Sequence, residues 1–211
     1  MIPIYQNWLK NNAEEEAYLK HYKEGFEWVK ENVFTIPEQK RFTNQEYIQI
    51  IHEIPEHLTN IKSGASRTLY KSIDSSRNTF RNAIVLINTT HRPHRYNILQ
   101  ELLTNTKYKI KGMSKSFWSE IIRCKFDDVP LVNSKTEDFF IALGLNIGVE
   151  AADQVKNVSY CYNRWRELYK NSGGEIELLE LSHMEHFAKT SKEGIKYMKE
   201  NFGTLVGEYT A

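Results

Sequence analysis

The residues best equipped for chemistry are lysines set around a glycine, in Ile110-Lys111-Gly112-Met113-Ser114-Lys115, with Lys109 just ahead. Gly112 has no Cβ, so it can adopt left-handed backbone or let another backbone come close. Ser114 suits the cap of a following helix, whose first amides, those of Lys115 and Ser116 among them, have no acceptor within the helix. Such amides, the helix dipole and nearby lysines favour a phosphate and read no base edges, so binding there would be salt-sensitive and weakly sequence-dependent. A second basic stretch, Thr90-His91-Arg92-Pro93-His94-Arg95, is predicted to be a loop, where Arg92 and Arg95 could offer forked donors to phosphates. Lys135 is a further candidate cation on the same footprint.

Other reactive types give weaker signals. His183 and His186 stand at i, i+3 on a predicted helix, a spacing that can ligate a metal, but no HExxH spacing and no third ligand accompany them, and no metal is expected. Tyr160, Tyr162, Trp165 and Tyr169, with Arg164 and Arg166 between them, could stack bases, but at helical spacing they are read as packing. Cys124 and Cys161 stand alone, which reads as buried thiols in a reducing compartment. The chain has no P-loop, GxGxxG, GxSxG or CxxC, so no cofactor is expected, and an ATPase motor would have to be another chain.

The net charge of +1 conceals a strong segregation. Residues 1–61 hold 6 basic and 10 acidic side chains, residues 62–135 hold 14 and 5, and residues 136–211 hold 8 and 12, giving −4, +9 and −4. The basic middle is an electrostatic footprint for phosphates. Four tryptophans spread over 211 residues, with aromatics at 12 %, argue for a packed fold. No apolar run approaches the roughly 20 residues of a membrane helix, and no signal segment opens the chain, so a cytoplasmic protein without membrane contact is expected.

The apolar periodicity is helical almost throughout. Residues 4–32 predict one or two amphipathic helices ending near Pro37, and Thr43 to Glu46 has capping-box spacing for a helix over 47–54 closed by Pro55. The run Ala83-Ile84-Val85-Leu86-Ile87 is read as helix, and residues 96–103 as another. Phe117, Trp118, Ile121 and Ile122 share a face, Ser134 to Glu137 looks like a second capping box, and Gly144 is the expected C-cap. Helices over 149–169, 176–187 and 192–202 complete an all-α, irregular helical bundle, in one continuous domain or in two lobes with a boundary near 61.

Ile110-Lys111-Gly112-Met113-Ser114 resembles the apolar-x-Gly-apolar-Gly turn of helix-hairpin-helix modules. Phe117 to Ile122, Asp127-Asp128-Val129-Pro130, Asn133 to Thr136 and Ala142-Leu143-Gly144 extend the likeness to helical modules accompanying McrB-type restriction and defence ATPases, and more distantly to helix-hairpin-helix DNA glycosylases. The resemblance spans about residues 84–187, and only 110–144 is motif-like. It implies a non-catalytic DNA-binding domain, RNA being a second possible ligand, with an ATPase or nuclease as partner. Two departures weigh on catalysis. Ser114 replaces the second glycine, and the glycosylase aspartate falls on Asn133, which cannot act as a carboxylate base but could contact a base in a pocket. The lysine nucleophile of bifunctional members falls near Ser116, beside Lys115. The rivals are a divergent glycosylase or base-flipping enzyme, with Asp127, Asp128 or Asp138 supplying the carboxylate, and a protein-interaction adaptor in a defence system.

Overall fold

A computed structural model describes residues 1–58, 73–198 and 200, and the chain is all-α, with no strand among those residues. Within them the α-helices run in the order α1 (Ile2–Lys10), α2 (Ala13–Asn32), α3 (Asn44–His57), α4 (Ile73–Thr89), α5 (Ile98–Thr104), α6 (Lys115–Lys125), α7 (Ser134–Ala142), α8 (Ala151–Asn171) and α9 (Leu178–Thr190). Short 3-10 turns occupy Ile36–Glu38 and Arg92–Asn97, and residues 192–198 are again helical. Lys62, Arg67 and Lys71 of the basic middle, and the end of the last predicted helix, lie outside the described residues.

Two apolar clusters form the interior. The first gathers Val29 and Ile36 with Tyr47, Ile51 and Ile54 of α3, Phe80 and Ile84 of α4, Leu99 and Leu102 of α5, and the fully buried Trp118 of α6, against which Phe80 stacks at 5.9 Å. The second gathers Tyr5 and Leu9 of α1, Tyr22 of α2, Phe139 and Phe140 of α7, Tyr162 and Trp165 of α8, and Leu181 and Phe187 of α9. The packing therefore divides differently from the boundary expected near residue 61. The first helix and a half pack with residues 139–188, while residues 29–58 pack with the middle of the chain.

Two long helices bind these clusters into one body. At 1.5 Å per residue, α2 is about 30 Å long, enough to serve the second cluster with its first half and the first with its last. Phe26, midway along it, packs against both. α8 does the same, giving Ala151 and Val155 to one cluster and Val158, Tyr162 and Trp165 to the other. Gly25 sets the spacing of α2 and α3, since a Cβ there would lie 2.2 Å from the His57 carbonyl oxygen.

Three local expectations change. Pro55 does not close α3, which runs on to His57; so near the helix end, the missing proline N–H forfeits a single backbone bond. The start of α7 is capped one residue earlier than the Ser134 to Glu137 pattern suggests, because Asn133 Oδ1 accepts from the amides of Lys135 at 2.8 Å and Thr136 at 3.0 Å. The loop expected over residues 90–95 is largely wound into the 3-10 turn, which also takes in Tyr96.

Candidate functional site

The connector between α5 and α6 is a basic turn held by backbone hydrogen bonds. Asn105 organises its start, its carbonyl oxygen accepting from the amides of Tyr108 at 3.0 Å and Lys109 at 2.9 Å. Ile110 and Met113 are both buried in the first cluster, and the Met113 amide closes a four-residue turn on the Ile110 carbonyl at 3.1 Å. The tip between these anchors is Lys111-Gly112, with Gly112 at φ 97°, the left-handed conformation that only glycine adopts without strain. Ser114 caps α6 by accepting from the Phe117 amide at 3.4 Å, and the amides of Lys115 and Ser116 are left without an acceptor inside the helix. Lys107, Lys109 and Lys111 are exposed and form no ion pair with another described residue.

The other predicted cations serve the frame instead. Arg95 meets Asp128 with Nη2 at 2.5 Å from Oδ2 and Nε at 2.9 Å from Oδ1, and its guanidinium lies 4.2 Å over the Tyr96 ring. Arg92 pairs with Asp127 at 2.6 Å and reaches Asp128 at 3.4 Å, and its pKa is raised by these carboxylates. Ser159 on α8 completes the lock, donating to the Asp128 carbonyl oxygen at 2.9 Å. Lys115 turns away from the phosphate-ready amides to bond Glu137 on α7 and the Gln154 side-chain oxygen on α8, the latter at 2.8 Å. Arg81 likewise donates to the carbonyl oxygens of Pro37 at 3.0 Å and Gln39 at 2.8 Å.

A cavity of about 460 Å³ opens between α2, α6, the start of α7 and α9. Tyr18 and Tyr22 form an aromatic wall, with ring centroids 5.9 Å apart. Asn133 and Lys135 are among the residues that line it, and the Asn133 Oδ1 caps α7. The Lys115 to Glu137 contact places the basic turn next to the same first turn of α7. The carboxylates weighed as catalytic substitutes are all paired, Asp127 and Asp128 with the arginines and Asp138 with Lys189 at 3.5 Å.

His183 and His186 line this cavity. The Nε2 of His183 lies 3.0 Å from the Glu15 carboxylate, so it carries the proton there, and Nδ1 accepts from the Tyr5 hydroxyl at 3.1 Å. Burial lowers the pKa of this imidazole and raises that of Tyr5. Among the described residues no group of three or more His, Cys, Asp or Glu is arranged to hold a metal ion. Glu185, wholly buried, accepts from the Tyr162 hydroxyl, and burial pushes its pKa up to about 8. Arg123 lines the cavity with its side chain only 2 % exposed, and its Nη1 and Nη2 have no hydrogen-bond partner among the described residues. Sequence reading had no signal for Arg123, Ser182 or Glu185 as a site, because they stand on two helices about 60 residues apart in the chain, in no local motif.

No family model matches the chain, and no curated protein and no solved structure matches it. Among the described residues no helix is long and apolar enough to cross a membrane.

Proposed function

We propose that this chain is a non-catalytic nucleic-acid-binding domain, with DNA as its first ligand, that grips the phosphate backbone through residues 109–116. The observation that carries the reading is the Ile110 to Ser114 turn. Two buried anchors hold it, left-handed Gly112 shapes its tip, and Lys109 and Lys111 are exposed to solvent just before the open amides of Lys115 and Ser116. A preformed turn loses little entropy on binding, and the combination of point charges with helix-end amides suits a phosphodiester. Arg95 and Lys115 hold the scaffold around the turn and Arg92 is paired with Asp127 at the surface, so the gripping set is narrower than the charge pattern alone suggests. In line with the resemblance to modules of restriction and defence ATPases, chemistry and motor activity would come from a partner ATPase or nuclease chain in the cytoplasm.

The test is fluorescence anisotropy with a long duplex across a salt series. Replacing Lys109 and Lys111 together by Ala should lower affinity and flatten the logarithmic salt slope by roughly 1–2, about 0.9 for each phosphate no longer neutralised. An unchanged slope, or no binding by the native chain at low salt, rejects the proposal. A matched single-stranded RNA in the same titration decides the preferred polymer.

A further inference from the structure

The cavity beside α7 holds a buried arginine whose Nη1 and Nη2 have no hydrogen-bond partner among the described residues. Arg123 Nη1 comes no closer than 3.9 Å to Glu120 Oε2, and the group otherwise rests against the rings of Tyr22 and Phe26, at 5.8 and 5.5 Å. Cation–π contact offsets only part of the cost of dehydrating the four Nη donors. Ser182 Oγ is a second buried polar atom on the same cavity without a partner. Buried donors of this kind call for a partner, which in a cavity a bound group can supply.

The surroundings define that ligand. Lys135 and Lys189 line the cavity together with Arg123, Lys189 also donating to the Lys135 carbonyl oxygen at 2.9 Å, and of the two carboxyls that line it, Glu15 accepts from His183. The other, Glu185, has its pKa pushed up to about 8 by burial, which favours its neutral form. Glu120 and Asp138 do not line the cavity, but at 3.9 Å from Arg123 and 3.5 Å from Lys189 they offset part of the charge of those two cations. With Arg123, Lys135 and Lys189 on its lining, the cavity suits an anionic group. One wall is aromatic, Tyr18 lying at 27° to Tyr22 and at 28° to His183, 5.7 Å from the imidazole. The volume of about 460 Å³ falls within the range of small-molecule sites.

We infer that this cavity is a binding site for a phosphate monoester carried on a planar ring, the chemistry of a nucleoside monophosphate, with the phosphate directed toward Arg123 and the two lysines and the ring against Tyr18. The same chemistry occurs free in solution and at the 5′ end of a phosphorylated strand. The site is independent of the basic turn, and neither Lys109 nor Lys111 belongs to it.

Isothermal titration of the full chain tests this with adenosine 5′-monophosphate, adenosine and inorganic phosphate, and with a short oligonucleotide bearing either a 5′-phosphate or a 5′-hydroxyl. Saturable binding of the monophosphate, with adenosine and phosphate each at least about tenfold weaker, is expected, since a charge-assisted bond and a stacked ring are each of that size. Binding confined to the 5′-phosphorylated strand would support the site and assign it to strand ends. Lys135→Ala with Lys189→Ala should weaken binding roughly tenfold or more, and Tyr18→Ala by a similar factor, without touching buried Arg123. Lys109→Ala with Lys111→Ala should leave it unchanged, which separates this site from backbone binding. The inference is overturned if neither the monophosphate nor the phosphorylated strand binds at millimolar concentration, if phosphate binds as tightly as the nucleotide, or if the paired-lysine and Tyr18 variants bind as the native chain does.

Discussion

Lys115 at the start of α6 is joined to Glu137 in the first turn of α7, so the cation nearest the open helix amides is committed to holding two helices together. Its half-buried ammonium, which also bonds Gln154, has a pKa lowered by burial. Lys115→Ala should therefore act first on stability, costing about 1 kcal/mol in urea unfolding, because it leaves Glu137 and Gln154 without their donor. Lys111→Ala should leave the unfolding midpoint in place and lower duplex affinity instead. The comparison of the two variants in both assays separates gripping lysines from structural ones, and equal effects on binding with no stability loss for Lys115→Ala would contradict the assignment.

The two arginines of the 3-10 turn should differ in the same assay. Arg95 and Asp128 are mostly buried, 16 % and 18 % exposed in their side chains, and form a forked pair, whereas Arg92 and Asp127 are largely in solvent. Asp128→Asn should cost roughly 1–3 kcal/mol, since it leaves a buried guanidinium uncompensated and loosens the tie to α8. Asp127→Asn should cost less than about 1 kcal/mol, the usual contribution of an exposed pair. Chemical denaturation of both variants gives the ranking, and the reverse order would refute the role given to Asp128.

Much of the fold could be read from local pattern, because it depends on neighbours within a turn or two. The Thr43 to Glu46 capping box forms as the spacing predicts, with Thr43 Oγ1 accepting from the Glu46 amide and the Glu46 carboxylate accepting from the Thr43 amide. The apolar run Ala83 to Ile87 lies in α4, and the α6 face buries Phe117, Trp118, Ile121 and Ile122. What stayed out of reach depends on approach between distant segments. Arg92 and Arg95 find their carboxylates about 33 to 35 residues away, and Arg123 reaches the cavity only because α6 meets α2 and α9. A charge count along the chain treats all these arginines alike, yet burial commits some to the frame and leaves the lysines of the connector free. The division into clusters was hidden for the same reason, as no composition shift tells that Tyr5 and Phe187 will share a core at 5.8 Å.

Gly112→Ala tests the turn without altering charge. At φ 97° a Cβ imposes a left-handed penalty of roughly 1–2 kcal/mol, which the turn escapes only by shifting the backbone between Ile110 and Met113. Unfolding free energy should fall by about that amount, and duplex affinity should fall as well because Lys111 and the amides of Lys115 and Ser116 lose their relative placement. Gly112→Asn, whose side chain tolerates this region better, should recover part of both losses. Affinity unaffected in Gly112→Ala, alongside the expected loss of stability, would separate the turn from binding.

The carboxyl of Glu185 gives the fold a dependence on pH with a defined sign. Its pKa is pushed up to about 8 by burial, far above the ordinary carboxylate range, so between about pH 4.5 and 8 the folded chain holds a proton that the unfolded chain releases. Stability attributable to this group must therefore fall as pH rises through that window and level off above about 8. His183 works in the opposite sense, since burial depresses its pKa and the unfolded chain takes up a proton below about 6.5 that the folded imidazole resists. Glu185→Gln keeps an acceptor for the Tyr162 hydroxyl and removes the titration. It should be more stable than the native chain at pH 8.5, by on the order of a few kcal/mol, and nearly equal to it at pH 5. Because His183 remains in both proteins, its contribution cancels in the difference curve measured by urea unfolding across pH. A difference that does not grow from pH 5 to 8.5 would show that the Glu185 carboxyl ionises in the folded state as it does in the unfolded one.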